Sequence, residues 1–260
     1  SIISNNSKIK LEIAFIIIHG SPGENGLIQS YFELKNIPYT GCDPYTSALT
    51  FNKRDCLSVL EKYNIPTANS FHINKNENFK IESIIQKVGL PCFVKANRSG
   101  SSFGVFKVYE ENELKKSINK ALDYDDEVLI ESFLDGIEVS VGVMNYQNKV
   151  KVFGITEIIT ENDFFDYDAK YNGNSKEITP ANISEKQKQI VTNLSIKIYK
   201  KLGMKGFTRS EFIIINDIAY FLEINSIPGM TNESIFPKQA QTSGISITQL
   251  CDEIINQATI

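Results

Sequence analysis

The chain has 260 residues, 42% of them hydrophobic, enough for two or three small domains with buried cores. Its 27 basic and 31 acidic residues leave a formal charge of −4, which excludes an extended nucleic-acid footprint, so each positive charge needs a local explanation. No apolar run approaches the ~20 residues of a membrane span, and the first residues lack the order of a secretion signal; the expectation is a soluble, cytoplasmic chain with no membrane association. Cys42, Cys56, Cys92 and Cys251 are far apart and mostly within apolar runs, without Cys-x-x-Cys spacing, and read as reduced core thiols.

Residues 11–18 form a nearly unbroken apolar run, the signature of a strand buried on both faces, and lead into the loop His19-Gly-Ser-Pro-Gly-Glu24-Asn-Gly26. Ligand loops of open α/β sheets lie at such strand exits, so His19 is either a ligand group or a histidine bonded into the core. Leu27, Tyr31 and Leu34 then recur at helical spacing until Ile37-Pro38. One strand and one helix do not make a doubly wound domain, and residues 1–10 are too short and polar to complete one. The expectation is that an N-terminal portion lies outside these residues.

A helix is predicted over 52–63, with Lys53 near its start and Asn64-Ile65-Pro66 as its stop. A polar segment to residue 80, a helix over 81–88 and a strand over 92–95 follow. Lys95 ends that strand and precedes Asn97-Arg-Ser-Gly-Ser101-Ser102-Phe-Gly104, a loop of small side chains, hydroxyls and free amides suited to phosphate oxygens. It is not a Walker A loop, because the lysine comes first and a strand, 103–108, comes after. Next are a surface helix over 110–121 and a strand over 128–134 that turns at Asp135-Gly136 into a second strand with Glu138 near its start. Such a passage can offer backbone hydrogen bonds to a flat base and a carboxylate to ribose; two ordinary edge-strand glutamates are the equal alternative.

A strand over 150–159 leads to a long polar loop, 160–180, of the length typical of lids. Ser184 and Gln187 make a capping box for a helix that ends at Gly203. Two Phe/Ile/Tyr-rich runs, 206–215 and 220–230, flank Asn216-Asp217 and predict an antiparallel hairpin. Alternation puts Arg209 with Glu211 on one face and Glu223 with Asn225 on another. If the two faces coincide, two carboxylates and an amide oxygen converge beside a guanidinium, a donor set suited to Mg²⁺ completed by phosphates and water; a solvated polar hairpin face is the alternative. Short helices over 235–241 and from residue 247 close the chain.

The strand lysine, the Gly/Ser loop between strands, the strand-turn hinge, and Arg-x-Glu leading to Glu223-x-Asn225-x-x-Pro-Gly-Met resemble the ATP-grasp superfamily in its order of motifs. More narrowly, His19-Gly-x-x-Gly-Glu24, Gly100-Ser-Ser-x-Gly104, Phe165-Asp-Tyr-Asp-Ala-Lys-Tyr171 and Glu223-Ile-Asn-Ser-Ile-Pro-Gly-Met-Thr231 look like the D-alanine:D-alanine ligase family, from about residue 13 onward. The resemblance implies an α/β (α+β) ATP-grasp fold. Its parts would be a partial N-terminal α/β domain (1–50), a central subdomain (51–137) and a C-terminal subdomain (138–260) carrying a lid at 160–180.

The implied function is ATP-dependent joining of two D-alanine molecules through a D-alanyl phosphate for peptidoglycan synthesis, by a homodimer using two Mg²⁺ (or Mn²⁺). In this carry-over Lys53, Lys95 and Lys170 hold ATP, with Ser101, Ser102 and Gly104 closing over the phosphates. Glu131, Phe133 and Leu134 frame adenine and Glu138 takes the ribose. Glu211, Glu223 and Asn225 bind metal, Arg209 and the Gly229 amide hold the oxyanion, and His19 and Glu24 lie by the first D-alanine. Tyr171 bonds to Ser101, while Ser234 and Ile235 line the second substrate's site. Two departures stand out: Glu211 occupies a position where the family has Asp, and the family's N-terminal Gly-rich segment has no counterpart. The alternatives are a D-alanine:D-lactate ligase, against which Tyr171 argues because histidine is implied there, and a nucleotide-binding module without ligase activity.

Overall fold

The computed structural model describes residues 2–4, 7–100, 102–160 and 175–258. Two antiparallel sheets dominate. The smaller has the order β3 (Ser70–Asn74), β6 (Glu127–Ser132), β4 (Cys92–Ala96), β5 (Val105–Val108). The larger runs β11 (Ile218–Asn225), β10 (Phe207–Ile215), β7 (Ile137–Tyr146), β8 (Lys149–Thr160), β9 (Ser175–Ile178). A separate hairpin, β1 (Ile2–Ser4) with β2 (Ser7–Ile9), stands at the N-terminal end.

Each sheet is half-covered by helices whose apolar stripes are visible in the sequence. On the smaller sheet α4 (Ile81–Val88) and α5 (Glu111–Ala121) bury Ile84, Val88, Leu114 and Ile118 against Ile73, Val94 and Ile130. Burying one such side chain stabilises the fold by about 1.5–3 kcal/mol. On the larger sheet α6 (Glu185–Lys201) places Val191, Ile198 and Tyr199 against Val141, Phe212 and Phe221. Its start is the predicted capping box: the Ser184 hydroxyl accepts from the Gln187 amide at 3.2 Å, and the Gln187 side chain accepts from the Ser184 amide at 2.9 Å. Of the remaining helices, α1 (Leu27–Leu34), α2 (Pro44–Phe51) and α3 (Lys53–Glu61) precede the smaller sheet, and α7 (Ile235–Thr242) and α8 (Ile247–Asn256) follow the larger one. Cys56, Leu57 and Leu60 of α3 join the core under the larger sheet, not the smaller one next to it in sequence.

The β10–β11 hairpin forms as predicted. Asn216 and Asp217 both take positive φ, 48° and 63°, the requirement of a two-residue turn whose twist matches the flanking strands. The thiols of Cys42, Cys56 and Cys92 are buried and all four cysteines are free.

Four expectations need correction. Residues 11–18 are not a doubly buried strand: among the described residues they pair through the single parallel bridge Ala14–Tyr39, and Ile17 and Ile18 are exposed, because no parallel neighbours flank them. Helix α1 exists, but its Leu27, Tyr31 and Leu34 face outward, while Ile28 and Phe32 pack toward Ile16, Tyr39 and Ile227. The segment after Pro66 is not merely polar, since β3 lies within it and pairs with β6. Likewise β9 lies within the predicted loop 160–180 and pairs with β8; the rest of that loop, 161–174, lies outside the described residues. Helix α2 is an unpredicted element, opened by Asp43, whose side chain accepts from the Thr46 amide at 2.8 Å.

Candidate active site

The register of the larger sheet assembles the polar centre. Arg209 pairs with Asn225 on one side and Gly142 on the other, and Gly142 pairs with Gly154. Two residues along, Glu211 pairs with Glu223 and with Ser140, and Ser140 pairs with Thr156. Residues two apart on a strand share a face, so these two rows across four strands make one polar surface. Arg209 Nη1 donates to Ser140 Oγ at 3.0 Å and to Glu211 Oε1. Glu211 is buried and the guanidinium compensates its charge, whereas Glu223 opposite is half-exposed with Lys53 Nζ 3.7 Å away.

The donor set fits Mg²⁺ by chemistry: two facing carboxylates, plus the Asn225 Oδ1, which also accepts from the Ile227 amide at 2.8 Å. Among the described residues no group of three or more His, Cys, Asp or Glu side chains forms a closed metal cage. Phosphates and water would therefore have to complete the shell.

A cavity of about 490 Å³ opens between the two sheets, a size suited to a nucleotide-sized ligand. Ser102, Phe133, Leu134 and Glu138 line it, together with Lys53 and Lys95. Lys95 Nζ donates to Glu131 Oε2 at 2.7 Å. Burial opposes the charge on Lys95, but the carboxylates of Glu131, Glu223 and Glu138 outweigh it and the ammonium's pKa is raised. Glu131 is itself buried, and its other oxygen, Oε1, is a buried acceptor with no hydrogen-bond partner among the described residues. Lys53, at the first turn of α3, donates to the Ser99 carbonyl at 2.5 Å and is fixed there by Asn97, whose side chain accepts from the Arg54 amide at 2.8 Å.

Gly104 does not line this cavity. At φ 68° it lets the chain turn back between β4 and β5, and a Cβ there would come within 2.9 Å of Ala96 Cβ and 3.0 Å of the Tyr124 ring. Ser101, Lys170 and Tyr171 lie outside the described residues.

A second cavity, about 300 Å³, is lined by His19, Glu24, Arg209, Gly229, Ser234 and Ile235. Lys53, Ser99 and Glu223 line both cavities and so form the wall the two share. The absent side chain at Gly229 lets the 226–234 turn close on itself: a Cβ would stand 2.5 Å from Ser234 Oγ and 3.8 Å from His19 Nε2. Ser234 also bonds to Thr231 Oγ1 at 2.8 Å. Glu24 accepts from the Gly20 amide at 2.6 Å, and burial raises its pKa above the ordinary value despite that bond and the nearby His19.

Several lining residues escaped the sequence reading. Phe93 shares the face of Lys95, two residues on, and strand alternation would have found it; Ile213 and Leu222 belong to the strands already singled out. Thr50 and Phe51 had no signal, because α2 itself went unpredicted.

The comparisons agree with this geometry. Residues 59–256 match the family described as D-ala D-ala ligase C-terminus, and residues 2–42 match D-ala D-ala ligase N-terminus. The D-alanine–D-alanine ligase of Flavobacterium johnsoniae is 55% identical over 250 residues, covering 96% of this chain and 77% of that protein. That of Christiangramia forsetii is 53% identical over 254 residues, covering 98% and 78%. Among solved structures, the Bacillus anthracis D-alanine–D-alanine ligase complexed with ATP superposes with a TM-score of 0.83 at 28% identity, covering 95% of this chain and 78% of that one. The VanG D-Ala:D-Ser ligase of Enterococcus faecalis gives 0.86 at 33% identity, covering 96% and 73%. With an ATP-grasp architecture, both family matches and relatives above half identity, this chain belongs to the D-alanine–D-alanine ligase family of ATP-dependent ligases.

Proposed function

We propose that this ligase joins two D-alanine molecules in the second cavity at the expense of ATP held in the first. The observation that carries the reading is the shared wall: Lys53 and Glu223 line both cavities, so a phosphoryl group can pass between them without leaving charge-matched surroundings. A carboxylate is a poor acylating agent, and activation as an acyl phosphate makes attack by an amine feasible. ATP supplies the phosphoryl group; the orphaned Glu131 Oε1, the two lysines and the cavity's size support its binding there. Two Mg²⁺ would be held by Glu211, Glu223 and Asn225, neutralising the phosphates.

Once the first D-alanine is activated, the chain's own contribution is orientation and charge. Arg209 and Gly229 both line the second cavity, and the guanidinium with the Gly229 amide would stabilise the oxyanion formed when the second amine attacks. Removing one such donor costs roughly 10²- to 10³-fold in turnover. His19 and Glu24 would position the first substrate, with Ser234 and Ile235 beside the second. Dipeptide rather than depsipeptide formation rests on Tyr171, and the exposed Leu27, Tyr31 and Leu34, on one face of α1, would offer an apolar surface to a second copy. Full-length protein should release phosphate from ATP when D-alanine is supplied and not when L-alanine is; equal release with both, or none with either, would count against the reading.

A further inference from the structure

Gln239 of α7 is completely buried, which is unusual for an uncharged polar side chain of that size. It sits over the same sheet face that carries Arg209 and Glu211. Its Nε2 donates to the Ser140 carbonyl at 2.9 Å and to Thr156 Oγ1 at 2.9 Å. Ser140 in turn accepts from Arg209 through its hydroxyl, and Thr156 exchanges a hydrogen bond with Thr179 Oγ1 at 2.6 Å just past β9. The amide orientation follows from chemistry: a backbone carbonyl can only accept, so the nitrogen must face Ser140.

Room for this side chain comes from two glycines that are cross-strand partners. A Cβ at Gly142 would overlap Gln239 Oε1, and one at Gly154 would lie 2.9 Å from Gln239 Cβ and Cγ. Gly142 is also the register partner of Arg209. The slot is therefore cut into the row that holds the arginine, and its occupant grips the neighbouring residue of the next row. Among the described residues Gln239 Oε1 has no partner, so one oxygen stays desolvated to place the two donors.

We infer that Gln239 is a positioning residue for Arg209: it fixes Ser140, and through Ser140 the guanidinium, while anchoring α7, which carries Ser234 and Ile235 at its start, to the same strands. The inference rests on the proposed role of Arg209. Fixing a donor matters because a displacement near 1 Å at a reacting centre can cost on the order of 10²-fold in rate.

The test uses full-length protein. Gln239→Met keeps the volume and removes both donors, and Thr156→Val removes one acceptor without changing shape. Gln239→Met should lower kcat by roughly 10-fold or more, leave KM for ATP within about twofold, and shift the Arg209 Nε–H resonance in the ¹⁵N spectrum. In a Ser140→Ala background the same substitution should add less than about twofold, since its route to Arg209 is already cut. If Gln239→Met does not fold, Thr156→Val carries the test, and the same resonance should move. An unmoved Arg209 resonance, or an undiminished effect in the Ser140→Ala background, overturns the inference. Should the parent lack D-alanine-dependent phosphate release, the proposed function fails, and the resonance still decides the part played by Gln239.

Discussion

Glu211 and Glu223 stand directly opposite each other across β10 and β11, yet one is buried against Arg209 and the other is half-exposed toward Lys53. The same pair of carboxylates therefore has two different dependences on its surroundings. Glu223→Gln should lower turnover by orders of magnitude with a melting temperature close to the parent's, because Glu223 is half-exposed and its ion pair with Lys53 is loose at 3.7 Å. Glu211→Gln should cost activity and also about 3–5 kcal/mol of stability, since it leaves the Arg209 charge without its buried partner. Activity within a few-fold of the parent for Glu223→Gln would make the hairpin structural; thermal melts and phosphate release read both.

Lys95→Met should destabilise by about 3–5 kcal/mol, because it strands the buried Glu131, one oxygen of which lacks a partner among the described residues, and it should abolish ATP binding by removing a cation from the first cavity. Lys95→Met combined with Glu131→Leu should recover most of the stability and none of the binding. Chemical denaturation and calorimetric titration with ATP separate the two effects. Equal stability of the single and double variants would show that the pair is not coupled.

Burial raises the pKa of Glu24 above its ordinary 4.5, so the folded chain holds that proton more tightly than the unfolded chain. Stability from this group is complete below the unfolded value and is lost as pH rises from 4.5 through the raised folded value. Glu24→Gln removes the titration and still accepts from the Gly20 amide. Its melting temperature should consequently fall less, or rise more, across that window than the parent's. Parallel pH profiles for the two proteins would show that Glu24 is no more desolvated than in the unfolded chain.

Gly136 lies at the turn between β6 and β7, on the wall of the first cavity, where an added Cβ would overlap the Ile214 carbonyl and reach 2.7 Å from Ile215 Cγ1. A backbone obstacle cannot rotate away, so Gly136→Ala should cost about 1–3 kcal/mol. It should also raise KM for ATP, because the turn must move against the cavity. An unchanged melting temperature and KM would mean that the turn yields freely.

Local sequence patterns determine a large part of this structure. The helices α4, α5 and α6, the Ser184–Gln187 capping box and the Asn216-Asp217 turn are encoded in a few consecutive residues, and propensity and tertiary packing agree there. The order of Lys95, the Gly/Ser loop, Arg209-x-Glu211 and Glu223-x-Asn225 likewise needed only the sequence.

What the sequence could not decide was every relation made by distant strands. Alternation places Arg209 with Glu211 and Glu223 with Asn225, but only the β10–β11 register puts the two pairs face to face. Only the β7–β8 pairing sets Gly142 against Gly154 and opens the slot for Gln239, whose helical spacing says nothing of a buried amide. The outward turn of Leu27, Tyr31 and Leu34 had the same cause. Periodicity tells which residues share a face, and what covers that face depends on contacts between segments that no local pattern encodes.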